Sequence, residues 1–408
     1  MVAGTSHRNP GHLLRVSRVM KPRATWKLTL LLVVCATVAG CADAQGPSEA
    51  ADPEAGWRAL PESPLSPRTD AQAFWTGSAV LVIGGFDDLQ CPPNADCVDR
   101  DPPLRDGAAY DPGTETWTSL PDAPVPLGYV SGGVVAGTLY VWVPDLQGGE
   151  RSTFLSYTPG DDAWEALDRP PFGPAGSMSL VAAGDRLVAY HASQEMGVAP
   201  DLIYDPATDA WNELPLDPLT AAFDRQMVWT NDGLVLLARE LVPNPGSEEP
   251  AVVLAARFDL ADGSWQRYPD SETIGGLWRW TGDHIVNPAL GGADGGQVNN
   301  WGRFYPNGGI LDPATGDWSE LPGTPIEPGD FTGFNAAGGG WAISMEGWAF
   351  HAASGTWIEL RRPAAGAAEM GQAAVWAGDR LFVFGGSRVA NERFVLVGAA
   401  WSWVPPRQ

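Results

Sequence analysis

Lysine disappears from this chain after Lys27, and nothing of like charge makes up for it. Beyond residue 40 stand 19 arginines and all 49 acidic side chains, a net charge of −30. So negative a surface repels nucleic acid and anionic lipid headgroups, which removes both as expected surface partners. Solubility outside the cell is reason enough for it. Histidine is scarce too: His191, His284 and His351 are the three beyond the leader, each in a different part of the chain. No Gly-x-Ser-x-Gly elbow, P-loop or His-Glu-x-x-His occurs, so the common short catalytic signatures are missing. Long helical periodicity is absent as well. Apolar residues come in short runs punctuated by the chain's 49 glycines and 37 prolines, a pattern that suits short strands joined by turns. With 44% hydrophobic residues and evenly spaced aromatics, a folded chain is expected rather than a disordered one.

Cysteine is the last scarcity, and the four present fall into two pairs. Cys35 and Cys41 belong to an export signal. Arg8, Arg15, Arg18, Lys21, Arg23 and Lys27 form a basic region without acids, and Leu28 to Val38 is an apolar run too short to span a bilayer. The run ends in Val38-Ala39-Gly40-Cys41, which resembles the lipobox of bacterial lipoproteins; the resemblance implies cleavage after residue 40 and a lipid on Cys41. Met1 and Met20 are both possible starts. Residues 41–56 are then a small, polar tether. Cys91 and Cys97 remain, six apart in one loop, and an oxidising compartment makes a local disulfide the expectation. They are too few for a metal site.

What the chain has in abundance is a repeat. Trp-x-x-Leu, once Trp-x-x-Tyr, occurs seven times, beginning at Trp57, Trp117, Trp164, Trp211, Trp265, Trp318 and Trp357. In six of these an apolar residue stands seven positions earlier: Tyr110, Tyr157, Tyr204, Phe258, Leu311 and Phe350. A fixed motif recurring every 40–60 residues indicates stacked units. Each unit opens with two apolar runs around a Gly-containing turn, as at Thr76-Gly77, Ala136-Gly137 and Gly378-Asp379, which is a hairpin signal. A loop of variable length follows, then a strand ending in the aromatic, then a turn and the Trp strand. Asp111-Pro112, Asp205-Pro206 and Asp312-Pro313 supply turn chemistry, Asp capping and Pro presetting φ. Four short antiparallel strands per unit make a propeller blade.

At this point residues 57 to about 403 resemble the kelch family of β-propellers. Gly84-Gly85 and Gly385-Gly386 stand where that family places a double glycine, and Tyr-Asp-Pro-x-Thr-x-x-Trp is intact at Tyr110 to Trp117 and Tyr204 to Trp211. The middle units lack the glycine pair, and Phe258-Asp259-Leu260 and Phe350-His351-Ala352 blur the turn. The fold expected is all-β: seven four-stranded blades over residues 57–408, with six or eight as alternatives. The first Trp motif precedes the first hairpin, while Gly398-Ala399-Ala400-Trp401 echoes Gly107-Ala108-Ala109-Tyr110 and has no Trp strand after it. Trp57 to Leu60 is therefore expected to supply the outer strand of the last blade and to close the ring. The motif tryptophans are expected to pack between sheets. Trp75, Trp142, Trp229, Trp280, Trp341 and Trp376, in the hairpin strands, are expected in the core too.

Function is sought in the loops and at the channel. Asp87, Asp88, Asp96, Asp99 and Asp101 crowd the first long loop without matching a calcium-loop spacing. Asn299, Asn300, Trp301 and Arg303, in another, join amide donors to an aromatic, a combination suited to sugars. Near the starts of inner strands lie Arg68, Asp70, Asp224, Arg225, Arg279 and Glu369, either a satisfied charge network or a pocket for a polar or anionic ligand. Galactose oxidase and its copper-radical relatives contain kelch-like repeats, but the two histidines and crosslinked Cys–Tyr their site requires do not carry over. Sialidase Asp-boxes do not either. No catalytic, metal or cofactor set emerges. The reading is a monomeric, membrane-tethered binding or scaffold module outside a bacterial cell, recognising a protein or envelope glycan through its face loops. A carbohydrate-active oxidase or hydrolase is the alternative.

Overall fold

The computed structural model describes residues 55–88, 101–145, 152–171, 178–219, 221–242, 250–293, 304–364, 366–391 and 393–407. Among them there is no helix. Seven four-stranded antiparallel sheets form a seven-bladed β-propeller. Five blades take consecutive strands, over residues 72–119, 131–167, 178–213, 222–267 and 336–359, and the blade over residues 279–319 does so around a two-stranded insert, Gly292–Ala293 with Tyr305–Pro306. The seventh is composite: Ala373–Ala377, Arg380–Phe384 and Ala400–Val404 are completed by Gly56–Ala59 from the start of the described chain. Trp57 pairs with Trp403 in that splice. The echo at Gly398 is displaced by two residues. Trp403, not Trp401, occupies the place of Tyr110, since each faces both the Trp strand and the residue that pairs with the hairpin's own tryptophan, Val80 with Trp75 and Leu381 with Trp376.

The seven-residue spacing has a direct cause. Two residues seven apart face each other across the last hairpin of a blade, as Tyr110 with Trp117, Tyr204 with Trp211, Phe258 with Trp265, Leu311 with Trp318 and Phe350 with Trp357. Their rings or side chains share one face of the sheet. The tryptophans are only half-buried, and their indole N–H groups point sideways to the preceding blade. Trp117 donates to Pro61 O, Trp164 to Pro121 O, Trp211 to Asp168 O, and Trp265 to Pro215 O, at 2.8–3.3 Å. Trp318 donates to Pro269 O, Trp357 to Pro322 O and Trp57 to Arg361 O, at 2.6–2.8 Å. Every acceptor lies four residues past the tryptophan of the previous blade, so one motif supplies both the donor and the acceptor. The seven bonds form a closed belt around the outer strands, and Trp57 closes it.

Between the blades lie seven apolar clusters, one per seam. The seam of blades 1 and 2 buries residues such as Leu81, Ile83, Leu139, Val141 and Leu155 completely. The seam of blades 5 and 6 has only Val286, Ile310, Ala342 and Phe350 in its buried set. Blade 5 is also the least regular, with inner and outer strands of two residues against nine in the inner strand of blade 4. Trp142 and Trp341 are core residues as expected, whereas Trp75, Trp229, Trp280 and Trp376 are half-buried. Trp376 lies against the turn of blade 6, so near that a Cβ on Gly338 would come within 2.2 Å of its ring. Trp278, 1% exposed, is a core tryptophan outside the expected set.

The blurred turns prove to be the same turn. Asp111 Oδ1 accepts from the N–H of Gly113, and Asp205, Asp259 and Asp312 accept from Ala207, Ala261 and Ala314. In blade 6 His351 Nδ1 takes the Asp's place, accepting from Ser354 N–H at 3.3 Å. The glycine pairs have a shared cause as well. Gly84, Gly85, Gly385 and Gly386 all have φ between 61° and 95°, where a side chain is strained, and a Cβ on Gly84 would sit 2.1 Å from Leu127 O.

Candidate functional site

Antiparallel blades divide the molecule's connections between two faces. The turn inside each hairpin and the Asp-capped turn before each Trp strand fall on one face. Connections from second to third strand, and from blade to blade, fall on the other. The described exposed large hydrophobic side chains are all on this second, loop face. Tyr129, Leu216, Leu277, Ile326 and Phe331 lie between blades; Met196, Val198, Leu241, Phe304, Val389 and Val395 lie between second and third strands. Isolated exposed apolar groups are ordinary, but their confinement to one face is informative.

The charged candidates separate into ties and channel groups. Arg68, 1% exposed, grips Asp106 with both terminal nitrogens (2.7 and 2.9 Å) and also donates to Ser66 and to Gly84 O. Arg225 is likewise buried. It donates to Asp201 at 2.6 Å, to Asp217 at 3.0 Å and to His191 O at 2.6 Å, joining blade 3 to blade 4 beneath the loop face. Burial works against the charge of Asp201, but hydrogen bonds from His191 and Arg225 outweigh it and hold the carboxyl below its ordinary range. Glu369 pairs with Arg362 at 2.8 Å, and Asp224 with Arg239 at 3.3 Å. Asp70 and Arg279 line the centre of the ring. Asn299, Asn300, Trp301, Cys41, Cys91 and Cys97 lie outside the described residues.

The centre is built by one recurring device. In every blade but the third, whose equivalent residue lies outside the described set, the chain reaches the channel through a residue of positive φ: Asp70, Tyr129, Asp224, Leu277, Gly333 and Gly371. All lie ahead of the inner strand except Asp224, which lies within it at the register shift between Phe223 and Gln226. Two residues on stands the group that faces the axis, giving Gln72, Ser131, Gln226, Arg279, Asn335 and Ala373, with Ser179 from blade 3. These seven line two adjoining cavities of about 560 and 600 Å³, which share Gln72 and Arg279. One member is charged, one is alanine, and the others are amides or hydroxyls. Gln226 clamps the backbone of Trp278, donating to its O at 2.6 Å and accepting from its N at 3.0 Å, and this fixes the neighbouring Arg279.

Arg279 differs from the other two arginines. Among the described residues its one hydrogen bond is to the carbonyl of Trp278, the residue before it, at 3.0 Å, and no carboxylate lies within ion-pair distance. Burial in the ring pulls its guanidinium below the usual arginine range. Arg279, Asp70 and Asp224, expected near the inner-strand starts, line the channel, while the neutral members of the ring were not among the expected residues. The phase of the hairpins was the available signal, because each ring residue begins the first apolar run of its unit. Among the described residues no group of three or more His, Cys, Asp and Glu is placed to hold a metal ion. No known protein family matches this chain, and no curated protein does.

Proposed function

We propose that this chain is a kelch-type propeller acting as a binding module, exported and tethered by a lipid on Cys41, whose loop face docks a protein or an envelope glycan. One observation carries the reading: the exposed large hydrophobic side chains of the described residues all stand on the loop face, and one of them, Leu277, lines the polar channel. Apolar groups amid polar ones are the composition of a docking surface. The glycine pairs and the recurring Tyr-Asp-Pro turns support the kelch assignment. The basic stretch, apolar run and Cys41 support export and anchoring.

The test compares the two faces. A screen of envelope glycans and exported proteins identifies what the mature domain retains. Tyr129→Ser, Phe331→Ser and Val389→Ser together should then weaken retention at least about tenfold, as loss of apolar anchors does, with the melting temperature unchanged. Replacing Asp185, Asp232 and Asp379 on the turn face should leave retention as it is. The reverse pattern would end the reading. Glycan turnover by the purified domain, lost in Asp224→Ala, would replace it with a catalytic one.

A further inference from the structure

We infer that the central channel is a site for a small sugar acid, its carboxylate received by Arg279 and its hydroxyls by the surrounding ring. The inference rests on the reading of the molecule as a binding module and names the ligand of its channel.

Three observations converge on Arg279. The guanidinium is ringed by protein, yet it keeps part of its surface open to both channel cavities. Among the described residues its five donors meet one backbone carbonyl, whereas Arg68 and Arg225, more deeply buried, are each paired with carboxylates. An enclosed guanidinium without a carboxylate is half of a charge-assisted pair, and the planar fork fits a carboxylate best. Third, the seven ring positions hold a single charge, so the asymmetry of an otherwise repeated ring points at one place.

The neighbours select the rest of the ligand. Ser131, Ser179, Gln72 and Asn335 offer neutral donors and acceptors, and Asp70 lines the same space. Hydroxyl groups both donate and accept, so a polyhydroxylated carboxylate uses these groups where a fatty or aromatic acid would leave them unmet. Cavities near 600 Å³ are of the size that takes a small molecule. Asp70, with Asp224 on the opposite side, disfavours a dianion and leaves room for one negative charge, beside Arg279.

The experiment is titration calorimetry of the mature protein with glucuronate, with glucose and inorganic phosphate in parallel. Glucuronate should bind saturably, one per chain, at least about tenfold more tightly than glucose, the usual cost of an unpaired charged hydrogen-bonding group. Arg279→Gln should lose that margin, and Arg279→Lys should keep part of it. A thermal melt of each variant confirms the fold. No glucuronate binding at millimolar concentration overturns the inference. So does equal binding of glucose or phosphate, or an unaltered Arg279→Gln. The titration reads the channel, and partner retention reads the loop face, so either can fail while the other stands.

Discussion

The two faces of this propeller are made from the same strands and differ in nearly everything else. On the turn face the connections are short, repeated and capped by Asp111, Asp205, Asp259 and Asp312, with His351 substituting once. They bring acidic charge and no exposed large hydrophobic side chain among the described residues. On the loop face the connections vary in length, carry the exposed apolar groups and surround the channel. The difference teaches where the repeat is in force. Turns and outer strands are held to a pattern because each serves the same seam geometry. The loop face is released from that pattern, and the unrepeated chemistry collects there.

The largest effect should come from an element that supports both faces at once. Deleting residues 57–61 removes the outer strand of blade 7, the indole bond from Trp57 to Arg361 and the acceptor that Trp117 uses at Pro61. The ring opens at two adjacent seams. Calorimetry should show loss of the single cooperative melt, and an unchanged melting temperature would refute closure by the N-terminal strand.

Next is the buried tie beneath the loop face. Asp201→Asn uncouples Arg225 from its closest carboxylate, and breaking such a pair costs on the order of 3–5 kcal/mol. The pH dependence follows from the direction of the shift. The folded carboxyl lies below its unfolded value, so its contribution is complete above the unfolded carboxylate range and is lost as pH falls through the folded one. Wild type should therefore lose stability on acidification more steeply than Asp201→Asn. Parallel acid limbs in denaturant titrations would show that the pair contributes nothing.

The smallest effect belongs to the turn face. Hydrogen bonds from Gly113 and Thr114 hold the Asp111 carboxyl below its usual range, so its cap likewise weakens only as pH falls through that lowered value. Asp111→Ala should lower the melting temperature slightly at neutral pH and leave partner retention untouched. A change in retention would erase the distinction between the faces.

Much of the frame was legible in the sequence because it is repeated. Trp-x-x-Leu at seven sites gave the blade count, and Trp57 standing ahead of the first hairpin gave the closure. The belt was not legible as hydrogen bonds, because a backbone carbonyl accepts whatever side chain its residue carries: prolines supply five acceptors, yet Asp168 and Arg361 serve alike. Gly398 to Trp401 misled by two residues, since similar composition does not set register; pairing with Leu381 and Trp57 does. Asp259 and His351 looked like broken turns because oxygen and imidazole nitrogen accept the same N–H while spelling different letters.

Among the site candidates, Arg68, Arg225 and Arg279 were alike on paper, each an arginine near the start of an inner strand. Periodicity along one chain can state the number of blades, the order of strands and the strand that completes the ring, because those are local patterns repeated. Whether a guanidinium faces Asp201 or an open channel depends on residues brought together from different blades. Local pattern holds no record of that distance, and it is the distance that separates a structural tie from a binding group.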